Sequence, residues 1–221
     1  MIEPLRIAAW WAADYAYAAA WQARAALDRT TPATLAHGAR VPVVLLPGVY
    51  ETWRFLQPLA TALHERGHPV HVIDLLRRNR RPVMEMAAHV SAYVRRQNLA
   101  DLVLVAHSKG GLIGKQVMIG PAGDRVRGMV AVATPFGGSR YARVMLSPSL
   151  RAFSPADPTI LALARQRDAN ARITSIAARF DPHIPEGSIL PGARNVVLDT
   201  GGHFRVLAHP DVLSEIERCA A

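Results

Sequence analysis

The stretch of this chain best suited to chemistry is "LVLVAHSKGG", residues 102–111, where Ser108 stands two residues before Gly110. With nine serines present and glycine at about 7% of average usage, one such triplet is expected by chance. Its meaning comes from its setting. The apolar run "DLVLVA" (101–106) precedes it and the helical pattern "GGLIGKQVMI" follows it. A serine on a sharp strand-to-helix turn is lifted into the open and placed under the free N–H groups of the helix start. The strain of that turn requires small residues two before and two after the serine, and Ala106 and Gly110 meet the requirement. A hydroxyl is a weak nucleophile until a base removes its proton, so a histidine and an orienting acid must stand nearby. Asp181 in "ARFDPHIP" and His203 in "LDTGGHF" follow the fifth and sixth apolar runs. The chain order Ser, Asp, His is that of serine nucleophiles on open α/β sheets. Asp199 is the alternative acid, and His183 and His209 are the alternative bases. His107, beside the nucleophile, reads as a packed polar side chain beneath the turn.

The elements that would position these residues can be read from hydrophobic periodicity. Short, near-continuous apolar runs at 42–46, 69–75, 101–106, 128–134, 171–178 and 194–199 have the character of strands buried on both faces. Helical patterns alternate with them: "WRFLQPLATALHERG", "PVMEMAAHVSAYVRRQ", the segment after Ser108, and "PDVLSEIERCA". Strand alternating with helix predicts an α/β fold with a doubly wound, mostly parallel sheet of about six strands flanked by helices. Residues 29–221 are expected to form one catalytic domain, within which 136–170 is long enough to make a small lid. In such a sheet chemistry gathers at the carboxyl ends of the strands.

Residues 1–28 form a separate problem. "PLRIAAWWAADYAYAAAWQARAAL" reads as one extra N-terminal helix rich in alanine and aromatics, with Trp10, Asp14, Tyr17 and Trp21 on one stripe. Asp14 interrupts the apolar run and leaves it short of a membrane span, and the segment lacks the basic start of a secretory signal. A carboxylate inside an aromatic stripe favours docking on the protein body, where donors can reach it. Peripheral membrane contact is the competing expectation.

From residue 41 onward the sequence resembles the α/β-hydrolase family, in particular small bacterial lipases and esterases without a large cap domain. The resemblance is carried by "VVLLPGVYETW", "VAHSKGG", "ATPFGGS" and "GARNVVLDTGGHFRVLAHPDV". It implies that Ser108 attacks an acyl carbonyl, that His203 is general base and then general acid, and that Asp181 orients the imidazole. It further implies that the backbone N–H groups of Val49 and Lys109 receive the oxyanion. Three features depart from the family pattern: Ala106 replaces the first glycine of the nucleophile turn, Pro47-Gly48 stands where His-Gly often opens the oxyanion loop, and the N-terminal helix replaces two early strands. Tyr50, Pro135, Phe136 and Leu146 are candidate substrate contacts, with Met145, Leu150 and Phe153 either lining an acyl pocket or packing on the sheet.

Composition narrows the function classes. Of 26 basic residues only Lys109 and Lys115 are lysines, and against 17 acidic residues they leave a net charge of +9. The densest cluster is "RRNRR" at 77–81, placed by the strand pattern near the cleft, where contact with an acidic lipid headgroup competes with plain solvation. Lys109, a cation on the first turn of a helix, would either meet an anionic substrate group or snorkel into solvent. No nucleic-acid module is recognisable, so no nucleic-acid partner is expected. The nine histidines and the lone Cys219 show no metal-ligand spacing, so neither metal nor cofactor is expected. The single cysteine also excludes an internal disulfide and fits a cytoplasmic, possibly membrane-associated, location. These readings predict a serine hydrolase cleaving carboxylic esters or lipids through an acyl-enzyme. An acyltransferase or thioesterase with the same three residues, or a non-catalytic membrane- or partner-binding module, are the alternatives.

Overall fold

The computed structural model describes residues 3–28, 30–76 and 78–221. Six strands form one sheet: β1 (Val43–Leu46), β2 (Val70–His71), β3 (Leu102–His107), β4 (Val126–Val132), β5 (Ile173–Phe180) and β6 (Arg194–Gly201). Their spatial order is β2-β1-β3-β4-β5-β6, and every neighbouring pair is parallel. The chain enters at β1, steps outward to β2, then returns past β1 to β3. Strand order therefore reverses between β1 and β3, which opens a crevice at their carboxyl ends.

The apolar runs behave as strands buried on both sides. Leu102, Leu104 and Ala106 face one core, while Val103 and Val105 face the other, as the two-residue period of a strand requires. Against the first face pack α3 (Val83–Arg96), α4 (Lys109–Met118) and α6 (Pro158–Arg165); against the second pack α2 (Gln57–Glu65) and α7 (Pro210–Ala220). Each fully buried leucine or valine contributes about 1.5–3 kcal/mol. Alternating strands and helices thus place six carboxyl ends along one rim.

The N-terminal helix α1 (Pro4–Leu27) joins the second face. Trp10 lies over Gly201, so close that a Cβ there would meet the indole at 2.4 Å, and stacks on Phe180. Tyr17 and Trp21 pack beside Phe55 and its neighbours. Asp14 is fully buried. The aromatic stripe is thus turned onto the protein body. Among the described residues no helix is long and apolar enough to cross a membrane.

Two boundaries differ from the sequence reading. The run at 69–75 yields only a two-residue strand before the chain turns into the 3-10 segment Asp74–Leu76. β2 is an edge strand with one neighbour, so little ladder pairing holds it extended. Segment 136–170 forms Arg140–Val144, α5 (Pro148–Arg151) and α6, joined by turns.

Candidate active site

Ser108 follows β3 directly and has φ 51° and ψ −119°, a left-handed backbone that costs a non-glycine residue of order 1–3 kcal/mol. The sequence permits this turn because its neighbours are small. A Cβ on Gly110 would stand 2.0 Å from the Leu46 carbonyl oxygen, and one on Gly111 would stand 2.1 Å from the Thr134 hydroxyl. The bond from the Ser108 N–H to the Val132 carbonyl, at 2.9 Å, pins the turn to β4.

The other two residues reach the same point from β5 and β6. His203 Nε2 lies 3.0 Å from Ser108 Oγ, and His203 Nδ1 lies 2.8 Å from Asp181 Oδ2. The second Asp181 oxygen accepts N–H bonds from His183 at 2.8 Å and Ile184 at 3.0 Å. The carboxylate is therefore fixed on both oxygens. Asp199, the alternative acid, is 60% exposed and pairs with Arg6 and Arg179; it points away from His203. His209 caps α7 through its side chain.

The local electrostatics separate the two histidines of the cleft. Burial lowers the His203 pKa, but Asp181, Glu51 and Asp14 outweigh burial and hold it above its ordinary value. Burial, followed by the charge of His203, pushes His183 down to about 4. Asp181 is raised by burial, yet the His203 imidazole and the His183 N–H more than offset this and keep it ionised below its usual range. His203 is thus the stronger base, and His183, 4.8 Å away between ring centroids, stays neutral at pH 7.

Glu51 and His107 form a second buried pair; the sequence reading placed His107 as a packed polar side chain beneath the turn and missed Glu51. Glu51 Oε1 lies 2.8 Å from His107 Nδ1, and Oε2 accepts the Gly48 N–H at 2.7 Å. His107 Nε2 donates to the His203 carbonyl at 2.9 Å. The only sequence signal was Glu51 itself, a carboxylate three residues after Gly48 and next to an aromatic-rich turn. These bonds shape the loop after β1. The Gly48 N–H is bound to Glu51, the Tyr50 N–H to the Arg78 carbonyl, and the Glu51 N–H to the Gly48 carbonyl. The Val49 N–H between them has no acceptor among the described residues, nor has the Lys109 N–H at the start of α4. Ser108 thus stands beside two backbone donors of the kind that can receive a developing oxyanion.

A cleft of about 330 Å³ opens over Ser108 and His203. Its walls come from Val49, Pro135 and Ile184 and, within segment 136–170, from Met145, Leu150 and Phe153; Tyr15 and His183 give it a polar side. The remaining candidate contacts lie elsewhere. Tyr50, with φ 63°, turns away from the cleft and its hydroxyl meets Ser147 Oγ at 2.5 Å. Phe136 is buried in the core on the α4 side of the sheet. Leu146 is 95% exposed and outside the cleft lining, because the short turn before α5 directs it outward. Lys109 neither meets the cleft nor snorkels into solvent: it is buried, and Nζ donates to the carbonyls of Asn79 at 2.8 Å and Arg81 at 2.5 Å. Burial pushes its pKa down to about 8. Within the basic cluster, Arg77 lies outside the described residues. Asn79 is buried and donates to the Pro47 carbonyl, and Arg81 pairs with Glu85. Among the described residues, this loop braces the loop after β1 and supplies none to the cleft lining.

No family model matches the sequence, and no curated protein matches it. Solved structures do. An extracellular alpha/beta-hydrolase from a Paenibacillus species superposes with a TM-score of 0.55 at 18% identity, over 82% of this chain and 99% of that one. This chain has the α/β-hydrolase fold. Two further solved structures match more closely in shape. A Bacillus licheniformis lipase, BlEst2 in its mature form, has a TM-score of 0.64 at 16% identity over 83% of this chain and 93% of that one. The putative non-heme bromoperoxidase BpoC of Mycobacterium tuberculosis has a TM-score of 0.60 at 16% identity over 83% and 92%.

Proposed function

We propose that this α/β-hydrolase-fold chain is a serine hydrolase of carboxylic esters that works through an acyl-enzyme. The carrying observation is the continuous line from Ser108 Oγ to His203 at 3.0 Å and on to Asp181 at 2.8 Å, with Ser108 on a left-handed turn. Lipases and esterases among proteins of similar shape support the same reading.

In this mechanism His203 Nε2 takes the hydroxyl proton as Ser108 Oγ bonds to the ester carbonyl carbon. Asp181 holds the imidazole with Nδ1–H toward itself and stabilises the imidazolium. The carbonyl oxygen becomes an anion within reach of the Val49 and Lys109 N–H groups, donors typically worth about 10²–10³ in rate each. As the carbon–oxygen bond to the alcohol breaks, His203 returns its proton to the departing oxygen. Water then attacks the acyl-enzyme by the same route in reverse and frees Ser108. Met145, Leu150 and Phe153 receive the acyl chain. The cleft sits at the small end of the range of about 300–1,000 Å³ common for small-molecule sites, so short acyl chains fit best. Segment 136–170, which carries these three residues, walls the acyl site.

The test is labelling of the purified protein with a fluorophosphonate, read by intact mass, followed by turnover of p-nitrophenyl esters of increasing length. One adduct per chain is expected, absent in Ser108→Ala and His203→Ala, with turnover highest on short acyl chains. Equal labelling of wild type and Ser108→Ala would overturn the proposal.

A further inference from the structure

Most of the site hangs from the carboxyl ends of strands, but the loop carrying His203 is also held from the far end of the sequence. Asp14 Oδ2 accepts the His203 N–H at 2.9 Å, and Oδ1 accepts the N–H groups of Phe204 at 2.8 Å and Arg205 at 2.7 Å. Three converging donors suit a side chain that accepts on both oxygens, which a carboxylate does and an amide cannot. It also caps the 3-10 turn Arg205–Ala208, where a negative charge is favoured. The fit is close: a Cβ on Gly202, at φ 125°, would stand 2.4 Å from Asp14 Oδ1, while Gly201 admits the Trp10 indole one helical turn earlier. The pair Gly201-Gly202 is thus the socket into which α1 is seated. The next residue of the helix, Tyr15, reaches the cleft itself and its hydroxyl lies 3.3 Å from His183 Nε2.

We infer that Asp14 is a positioning residue for His203, and that α1 is a working part of the active site. The inference rests on the serine-hydrolase reading above. Its physical basis is that Asp14 fixes the backbone of His203 from one side while Asp181 fixes the ring from the other. An imidazole placed by its ring bond alone could pivot about Cα. A shift of about 1 Å at a reacting group costs on the order of 10²-fold in rate. Asp14 also contributes to raising the His203 pKa. The groups facing His203 are Asp181 and His183 after β5, Glu51 after β1, His107 and Ser108 at the end of β3, and Asp14 on α1; Tyr15 meets His183, and the Arg205 guanidinium is turned to Thr200 and the Gly201 carbonyl.

The experiment compares wild type with Asp14→Asn and Asp14→Glu. Asparagine can still accept from Phe204 and Arg205, but its NH₂ then opposes the His203 N–H, donor against donor. For Asp14→Asn the expected result is a kcat lower by tenfold or more with KM within about twofold, and an acid limb of the kcat/KM profile moved to lower pH. Asp14→Glu keeps the charge and displaces the loop by a methylene, so it retains the limb and still loses kcat severalfold. A folded Asp14→Asn with unchanged kcat and limb would refute the inference; if that variant does not fold, wild-type kcat in Asp14→Glu does so. A His203 imidazole titration by NMR in the Asp14 variants and in Ser108→Ala is read without turnover. A shift with Asp14 in a protein that never labels at Ser108 supports the clamp while the hydrolase reading fails. No shift in a protein that does label separates the opposite case.

Discussion

Two buried carboxylate–histidine pairs lie side by side in this molecule, with their imidazoles 5.0 Å apart, and only one of them is arranged for proton transfer. In the pair Asp181–His203 the outer ring nitrogen faces a hydroxyl. In the pair Glu51–His107 it faces a backbone carbonyl, which can only accept. His107 Nε2 must donate to that carbonyl, and Nδ1 is taken up by the Glu51 carboxyl group, so neither nitrogen is free to meet a substrate. Under the proposed function, the same two residue types thus make a relay in one place and a brace in the other. What the outer nitrogen meets decides between them.

The sharpest way to break the comparison is to neutralise each carboxylate in turn. Asp181→Asn should drop kcat by about 10⁴-fold with little loss of fold, because the imidazole then settles in the wrong tautomer. Glu51→Gln should act mainly on stability, since the amide must divide one oxygen and one NH₂ between Gly48 and His107, where the carboxyl group offered two oxygens, in a site closed to water. Impairing a buried hydrogen bond costs about 1–3 kcal/mol, measurable by denaturant unfolding. Its effect on kcat should be smaller, through loosening of the Val49 loop. If Glu51→Gln matched Asp181→Asn in rate while keeping full stability, the brace would have to be counted as part of the relay.

A second contrast is in pH. His203 must be neutral to act as base, so kcat/KM is expected to rise with pH through its raised pKa. Stability runs the other way. A histidine whose folded pKa is raised contributes stability that is complete below its unfolded value and is lost as pH climbs through the folded one. Asp181, held low, contributes stability present above its unfolded value and lost as pH falls through the folded one. His183, near 4, stays neutral across the activity range, so His183→Gln should change KM and leave the acid limb in place. Movement of the limb by that variant would show that the cleft titrates as a coupled pair.

The relay could be read in the sequence and the brace could not, for a physical reason. Ser108, Asp181 and His203 each follow an apolar run, and parallel strands deliver their carboxyl ends to one rim whatever the loop details. Asp14 acts through backbone N–H groups and Glu51 partly so, through the Gly48 N–H beside its bond to His107, and a backbone group carries no residue type. Nothing in "PGVYE" says that Glu51 bends back on Gly48, and nothing in α1 says which loop will meet Asp14. The stripe of Trp10, Asp14, Tyr17 and Trp21 shows that the helix docks, but its socket is Gly201-Gly202, almost two hundred residues on. Phe136 and Leu146 could not be placed because side-chain direction in short irregular turns follows no period. Lys109 was legible as a residue with an electrostatic cost, and its partners were hidden because they are carbonyls.

Lys109 gives the smallest effect and the finest test. Like Glu51, it is a buried charge bound to the backbone, and it stands next to Ser108 in sequence while its ammonium ties Asn79 and Arg81. With its pKa near 8, the folded state releases the proton before the unfolded chain does, so this group adds stability as pH rises from about 8 toward the ordinary lysine value near 10.4. Lys109→Met keeps the stem, removes the charge and leaves the backbone N–H that would serve the oxyanion. Its kcat should stay within a few-fold of wild type. Its stability at pH 7 should change by only about 1 kcal/mol, because relief of charge burial offsets the lost bonds to two carbonyls. The wild-type-minus-variant difference in stability should climb between pH 8 and 10. A rise in KM confined to anionic esters would instead place the ammonium in the substrate's path and move Lys109 from the brace to the relay.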